Sequence, residues 1–307
     1  MKRDPSRKLD PETMLALAKT RKRQDRRAVS YLIAAAIMVL ALGAIWWFFS
    51  PEEPARFTLA AYDAVATPNQ SIALYSRVEP DSAHRSAKVN GLDLRFQIMA
   101  TQQDETKATD PAGNAAIDWS APKGNKPVVE FMVRHQSTEN PRNAIRDQGR
   151  VFIWPADSKL LVIDVDHALT EGVEGLTGNT APKLRSGAGD TLRQLSQKYR
   201  IIYVSTGANQ PGSYKKLRSW LGQQVPPGPL LGPPTSLDPA EPETFTTGQI
   251  RQLSKQFGQP GVSVVCSLQD AQIARDSGWK AVVIGDVPVV PQGGSAVASW
   301  SELAKEL

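Results

Sequence analysis

From residue 157 to the C-terminus the sequence alternates short apolar runs with amphipathic segments, and this alternation restricts the fold more than any other feature. "KLLVIDVD", "RIIYVSTG", "GVSVVCS" and "WKAVVIGD" read as buried strands. Between them lie segments with helical periodicity. "GAGDTLRQLSQKY" places Leu192, Leu195 and Tyr199 on one face, and "GSYKKLRSWLGQQ", "TTGQIRQLSKQFG" and "LQDAQIARDSG" follow the same texture. Strands joined through helices pair in parallel, so residues 157–307 predict a doubly wound α/β domain. In such sheets ligands sit outside the C-terminal strand ends, where Asp164, Ser205 and Cys266 fall.

Between about 56 and 156 the period is two. "GLDLRFQIMA" puts Leu92, Leu94, Phe96 and Ile98 on one side, and Asp93, Arg95 and Gln97 on the other. "SIALYSRV" and "VVEFMVRH" repeat the pattern, and "TDPAGNAAIDW" is a turn leading into a strand. Short strands separated by turn signals predict an all-β sandwich. These stretches are similar to bacterial immunoglobulin-like modules, which implies a spacer. His84 and His135 stand alone, without metal-ligand spacing.

The N-terminus is different in kind. Residues 1–30 carry ten Lys/Arg against four Asp/Glu, while the remaining residues carry 26 and 27. The net charge of +5 is therefore a property of the tail, and no basic face is left for a nucleic acid. "YLIAAAIMVLALGAIWWFF", residues 31–49, has no charged residue and is long enough to span a bilayer as a helix. With Arg26 and Arg27 before it and Trp46 and Trp47 at its end, residues 31–50 predict a single-pass inner-membrane anchor. The basic tail would stay cytoplasmic and the C-terminal domains would lie outside. The single cysteine, Cys266, excludes an intrachain disulfide.

Four motifs in the α/β segment, in order, resemble those of the haloacid dehalogenase (HAD) superfamily of phosphohydrolases. "DVDHAL" matches its first motif at Asp164 and Asp166, with His167 and Ala168 where the family has Gly and Thr. "YVSTG" places Ser205, with Thr206 beside it, at the phosphate-holding position. "GPLLGPP" and "EPETFTTGQIRQLSKQF" look like the C-terminal phosphatase-like domain of lipins and phosphatidylinositol-transfer proteins, with Thr246 in place of the family's Lys. Lys255 lies further along that helix. "VCSLQDAQIARDSG" aligns Asp270 with the family's second acidic residue, and Cys266 replaces the first.

The resemblance implies Asp164 as nucleophile and Asp166 as general acid/base. It implies a Mg²⁺ site formed by Asp164, the Asp166 backbone and Asp270. No segment is long and regular enough for a cap domain, so the cleft would be open to a bulky partner. With the Lys and one metal carboxylate missing, these residues predict a degenerate domain that binds a phosphorylated ligand, a phospholipid headgroup, or an envelope protein without turning it over. The alternative is a Mg²⁺-dependent phosphatase acting on phosphomonoesters or phosphatidate. A third reading is a structural protein without a ligand.

Overall fold

A computed structural model describes residues 37, 38, 40, 57–81, 87–124, 126–135, 144–171, 181–233, 243–285 and 294–307. The chain divides into two compact units, Met1–Glu53 and Pro54–Leu307.

The N-terminal half of the second unit is a sandwich of two sheets. β1 (Phe57–Ala61), β3 (Ser71–Pro80) and β6 (Asn114–Ser120) form one antiparallel sheet in the order β1-β3-β6. The other sheet has the order β2-β8-β7-β4-β5, built from β2 (Ala64–Ala66), β4 (Asp93–Ile98), β5 (Gln103–Ala108), β7 (Val128–His135) and β8 (Ile145–Ile153). β2 runs parallel to β8, and the remaining pairs are antiparallel. The alternation in β4 works as the period demands. Leu94, Phe96 and Ile98 enter the core with Trp119 and Phe131, while Arg95 turns outward to pair with Asp104 on β5.

The C-terminal half carries one parallel sheet in the order β11-β10-β9-β12-β13-β14. Its strands are β9 (Leu160–Asp164), β10 (Arg200–Val204), β11 (Leu230–Leu231), β12 (Val262–Val265), β13 (Lys280–Ile284) and β14 (Ser295–Val297). The helices are α1 (Ala188–Leu195), α2 (Pro211–Gln224), α3 (Glu243–Gln256), α4 (Leu268–Asp276) and α5 (Trp300–Glu306). Strand order reverses between β9 and β12, so the crevice between their C-terminal ends is the topological switch point.

The two halves are fused rather than strung together. Ala60 and Tyr62 of the sandwich belong to the same core as Ile163, Tyr214 and Leu217. Val65, Phe152 and Trp154 join Leu160, Val204 and Phe257 in another. The rings of Tyr62 and Tyr214 lie 4.5 Å apart. A polar latch runs through this junction. The buried Asp63 carboxylate accepts from the Arg150 guanidinium at 2.6 Å, from the Arg150 amide at 3.1 Å and from the Leu230 amide at 3.2 Å. The Asp63 amide donates to the Tyr214 hydroxyl at 2.7 Å. Beside it, Arg218 donates to the Ala61 carbonyl at 2.8 Å and to both Asp147 oxygens at 2.9 Å.

Three expectations are corrected here. Among the described residues no helix is long and apolar enough to cross a membrane, so the anchor over 31–50 is not supported. Of that run only Ile37, Met38 and Leu40 are described, as helical and exposed. The remainder, with the basic tail 1–30, lies outside the described residues, and the single-pass inner-membrane localisation loses its basis. The fold class changes with it. The described chain is β-rich, with strand outweighing helix, and the transmembrane helix of the expected fold class is not supported. The core of the sandwich runs into that of the parallel sheet. His135 is a packing residue, its Nδ1 2.9 Å from the Asp93 carbonyl, and His84 lies outside the described residues.

Removing one member of a buried charge pair strands the other, at a cost of about 3–5 kcal/mol. Asp63→Ala should therefore lower the urea midpoint of the whole unit in a single transition. Asp104→Ala, at an exposed pair, should leave the midpoint nearly unchanged. Two separate transitions in Asp63→Ala would show that the halves unfold independently.

Candidate functional site

The site forms where β9 ends. Leu160 to Ile163 are buried on both faces of the sheet, and the strand delivers Asp164 to its C-terminal edge. The chain then makes a π-helical turn, Val165–Leu169, closed by the Thr170 amide on the Val165 carbonyl at 3.1 Å. The Thr170 hydroxyl donates to the Val165 and Asp166 carbonyls, and the Trp300 indole donates to the Ala168 carbonyl at 3.0 Å. Ala168 and Leu169 are wholly buried, while His167 is exposed. Ala168 thus stands where it does because the turn packs its side chain inward.

Asp166 has 2% of its surface exposed, and its carboxylate is fully engaged by the loop after β10. One oxygen accepts from the Ser205 hydroxyl at 2.5 Å. The other accepts from the Thr206 amide at 2.7 Å, the Thr206 hydroxyl at 2.8 Å and the Gly207 amide at 2.9 Å. Ser205 accepts in turn from the Ala208 amide at 3.1 Å. The groups expected to hold a phosphate therefore hold an internal carboxylate. Amides and hydroxyls converging on one point make an anion cradle, and this cradle is filled by the chain itself.

Asp164 accepts the Asp166 amide at 2.9 Å, and its other oxygen lies 3.7 Å from the Cys266 sulfur. Burial, reinforced by the negative charge of Asp166, pushes its carboxyl up to about 6, with His167 opposing. Burial and the Asp164 charge push the Cys266 thiol up to about 12. With these surroundings Cys266 is a thiol rather than a thiolate at neutral pH, and sulfur is a poor partner for Mg²⁺, which prefers oxygen.

Asp270 belongs to a helix cap, with Ser267 as the N-cap residue. The Ser267 hydroxyl accepts its amide at 3.0 Å and donates to its carboxylate at 2.6 Å, a reciprocal arrangement at the start of α4. Its second oxygen is buried without a partner. Among the described residues no group of three or more His, Cys, Asp or Glu side chains is placed to hold a metal. The expected Mg²⁺ set of Asp164, the Asp166 backbone and Asp270 does not fit the ion. It offers too few free oxygens, and a protonated thiol stands among them. Thr246 is buried on α3 and Lys255 is exposed further along it, so neither brings a cation to Asp164.

The sequence reading missed Arg77. From β3 of the sandwich it donates to the Asn209 carbonyl at 2.9 Å and pairs with Glu79, so it ties the sandwich to the loop that encloses Asp166. Arg77 and Asn209 are 132 residues apart, and no local pattern announces the contact.

No family model matches the chain, and no curated protein matches it. Solved structures similar to it are β domains. They include the tandem Ig repeats of Dlar, at 7% identity and TM-score 0.25, covering 36% of this chain and 60% of that one. A complex of zinc 2-glycoprotein and prolactin-inducible protein from human seminal plasma matches at 7% identity and TM-score 0.22, covering 34% and 98%. The CARDB domain of the PF1109 protein from Pyrococcus furiosus matches at 12% and 0.22, covering 33% and 88%. The chain thus spans less than two thirds of the length of the Dlar repeats, and likeness at these TM-scores carries no argument.

The resemblance to the HAD superfamily, with its lipin-like form and the phosphatase and pseudoenzyme descriptions built on it, is accordingly corrected. No family model or curated protein supports it, and the motif residues spend their hydrogen bonds on one another.

A carboxyl raised above its unfolded value of about 3.9 stabilises the fold below that pH and loses the contribution as pH rises through about 6. Asp164→Asn should therefore raise stability at pH 7 by about 3 kcal/mol, and the gain should vanish toward pH 4. Thermal melts across that window measure it. An equal effect at both pH values would show that the surroundings of Asp164 do not raise its pKa.

Proposed function

We propose that this chain is a non-catalytic binding protein, not a phosphohydrolase. One observation carries the reading. Asp166, the residue that would have to move protons, is enclosed by four donors, and those donors are the ones a phosphate would need. The local charge points the same way. Asp164, Asp166 and Asp270 gather at the strand ends with no Lys at position 246, so a phosphate dianion would meet repulsion. These facts also weigh against a phosphorylated ligand or phospholipid headgroup at Ser205 and Thr206. The structural economy of the site, with its π turn, helix cap and filled cradle, suits a rigid scaffold whose ligand is taken elsewhere on the surface.

The test is hydrolysis of p-nitrophenyl phosphate and of micellar phosphatidate by the full chain, with Mg²⁺ and with EDTA. No Mg²⁺-dependent turnover above that of Asp164→Asn is the expected result. Turnover that requires Mg²⁺ and disappears in both Asp164→Asn and Asp166→Asn would overturn the proposal.

A further inference from the structure

A cleft of about 330 Å³ opens between the sandwich and α3, beside the end of the edge strand β11, and its volume is that of a small-ligand site. One wall is helical. Phe245, Gln249, Gln252 and Gln256 recur at the spacing of a single helix face and all line it. A helix face turned toward another element is ordinarily apolar, and this one carries three amides instead. The opposite wall is the β3 segment from Ser71 to Tyr75. Tyr75 keeps 41% of its surface exposed, among the large side chains that folding leaves outside the cores.

The charge balance narrows the ligand. Among the described residues, Asp63 is the only charged one lining the cleft, and its side chain is wholly buried against Arg150. The helix's own cations, Arg251 and Lys255, are exposed and lie outside the lining. The described walls therefore offer amides, which donate and accept at once, a serine hydroxyl and an aromatic ring, and among the described residues no exposed ion to meet a charged ligand. Such walls suit a neutral molecule with many hydroxyls and apolar C–H faces.

An extended peptide would use different contacts. β2 is the edge strand beside the cleft, and adding a strand to it would require its outward backbone groups. The Trp154 amide takes the Ala66 carbonyl, so Ala66 faces β8 and Val65 faces the open edge. The Val65 carbonyl is already held by the Gln256 amide at 3.1 Å. The peptide register is blocked, while Gln249, Gln252 and Tyr75 remain to meet hydroxyls and a sugar face.

We propose that this cleft binds a neutral oligosaccharide, with Tyr75 stacking on a sugar ring and Gln249 and Gln252 bonding its hydroxyls. The proposal deepens the binding reading and rests on it.

The test titrates the full chain with maltohexaose, cellohexaose and chitohexaose, and with an uncharged Gly-Ser hexapeptide, by calorimetry and saturation-transfer NMR. At least one oligosaccharide should bind, the peptide should not, and Tyr75→Ala or the Gln249→Ala/Gln252→Ala pair should weaken binding by about tenfold or more. Tyr75→Phe should retain it, because the ring is kept. Asp164→Asn should leave it unchanged, because that residue is outside the cleft. Circular dichroism of each variant confirms folding. Binding of none of the sugars, peptide binding of equal strength, or sugar binding indifferent to both cleft variants would overturn the proposal. Phosphatase turnover alone would sink the binding reading and leave the cleft result standing. Absence of sugar binding without turnover would sink only the cleft.

Discussion

The carboxylate of Asp63 is the constraint on which the rest of the unit depends. It is wholly buried, at the point where the sandwich meets the parallel sheet. A buried charge must be paired and hydrogen-bonded or it destabilises the fold by several kcal/mol. Asp63 satisfies that demand with partners from both halves, Arg150 on β8 and the Leu230 amide on β11, while its own amide reaches Tyr214 on α2. No half can leave without stranding the ion. The shared apolar cores result from the same placement, because Tyr62 and Val65 flank Asp63 and are carried into the neighbouring layer with it.

A second carboxylate, Asp166, has the same character and a different consequence. It cross-links the loops after β9 and β10, the two that a ligand at the switch point would have to touch. Four hydrogen bonds to one carboxylate make these loops rigid and fill the space between them. Arg77 extends the effect, holding the far end of the β10 loop from the sandwich side. A fold that elsewhere presents this crevice to substrates here fills its anion cradle with its own Asp166, and a second cleft opens between the sandwich and α3.

Much of the secondary structure was legible because it is locally determined. Leu94, Phe96 and Ile98 alternate with polar neighbours, and the structure buries that face. The apolar runs at 160–164, 200–204 and 262–265 are strands, and Leu192 and Leu195 lie on the buried face of α1. The roles of the site residues were less legible. Asp164 and Asp166 are two apart in sequence, yet one is a partly open acid and the other a sealed structural ion. That difference is made by Ser205, Thr206 and Gly207, about 40 positions away. Asp270 read as a metal ligand, but three residues back stands Ser267, and the S-x-x-D spacing of a helix cap was the signal available.

By itself, then, the sequence determined the periods, and through them the strands, the helices and the parallel connectivity, since these depend on residues within a few positions of one another. Only the tertiary structure decided that the two halves are one body, that the cradle after β10 is occupied, and that an amide-lined cleft opens beside α3. The physical reason is range. Hydrophobic periodicity acts between neighbours in the chain, whereas the state of a carboxylate is set by whichever donors the fold brings within about 3 Å of it, and for Asp63 and Asp166 most of those donors come from distant parts of the chain.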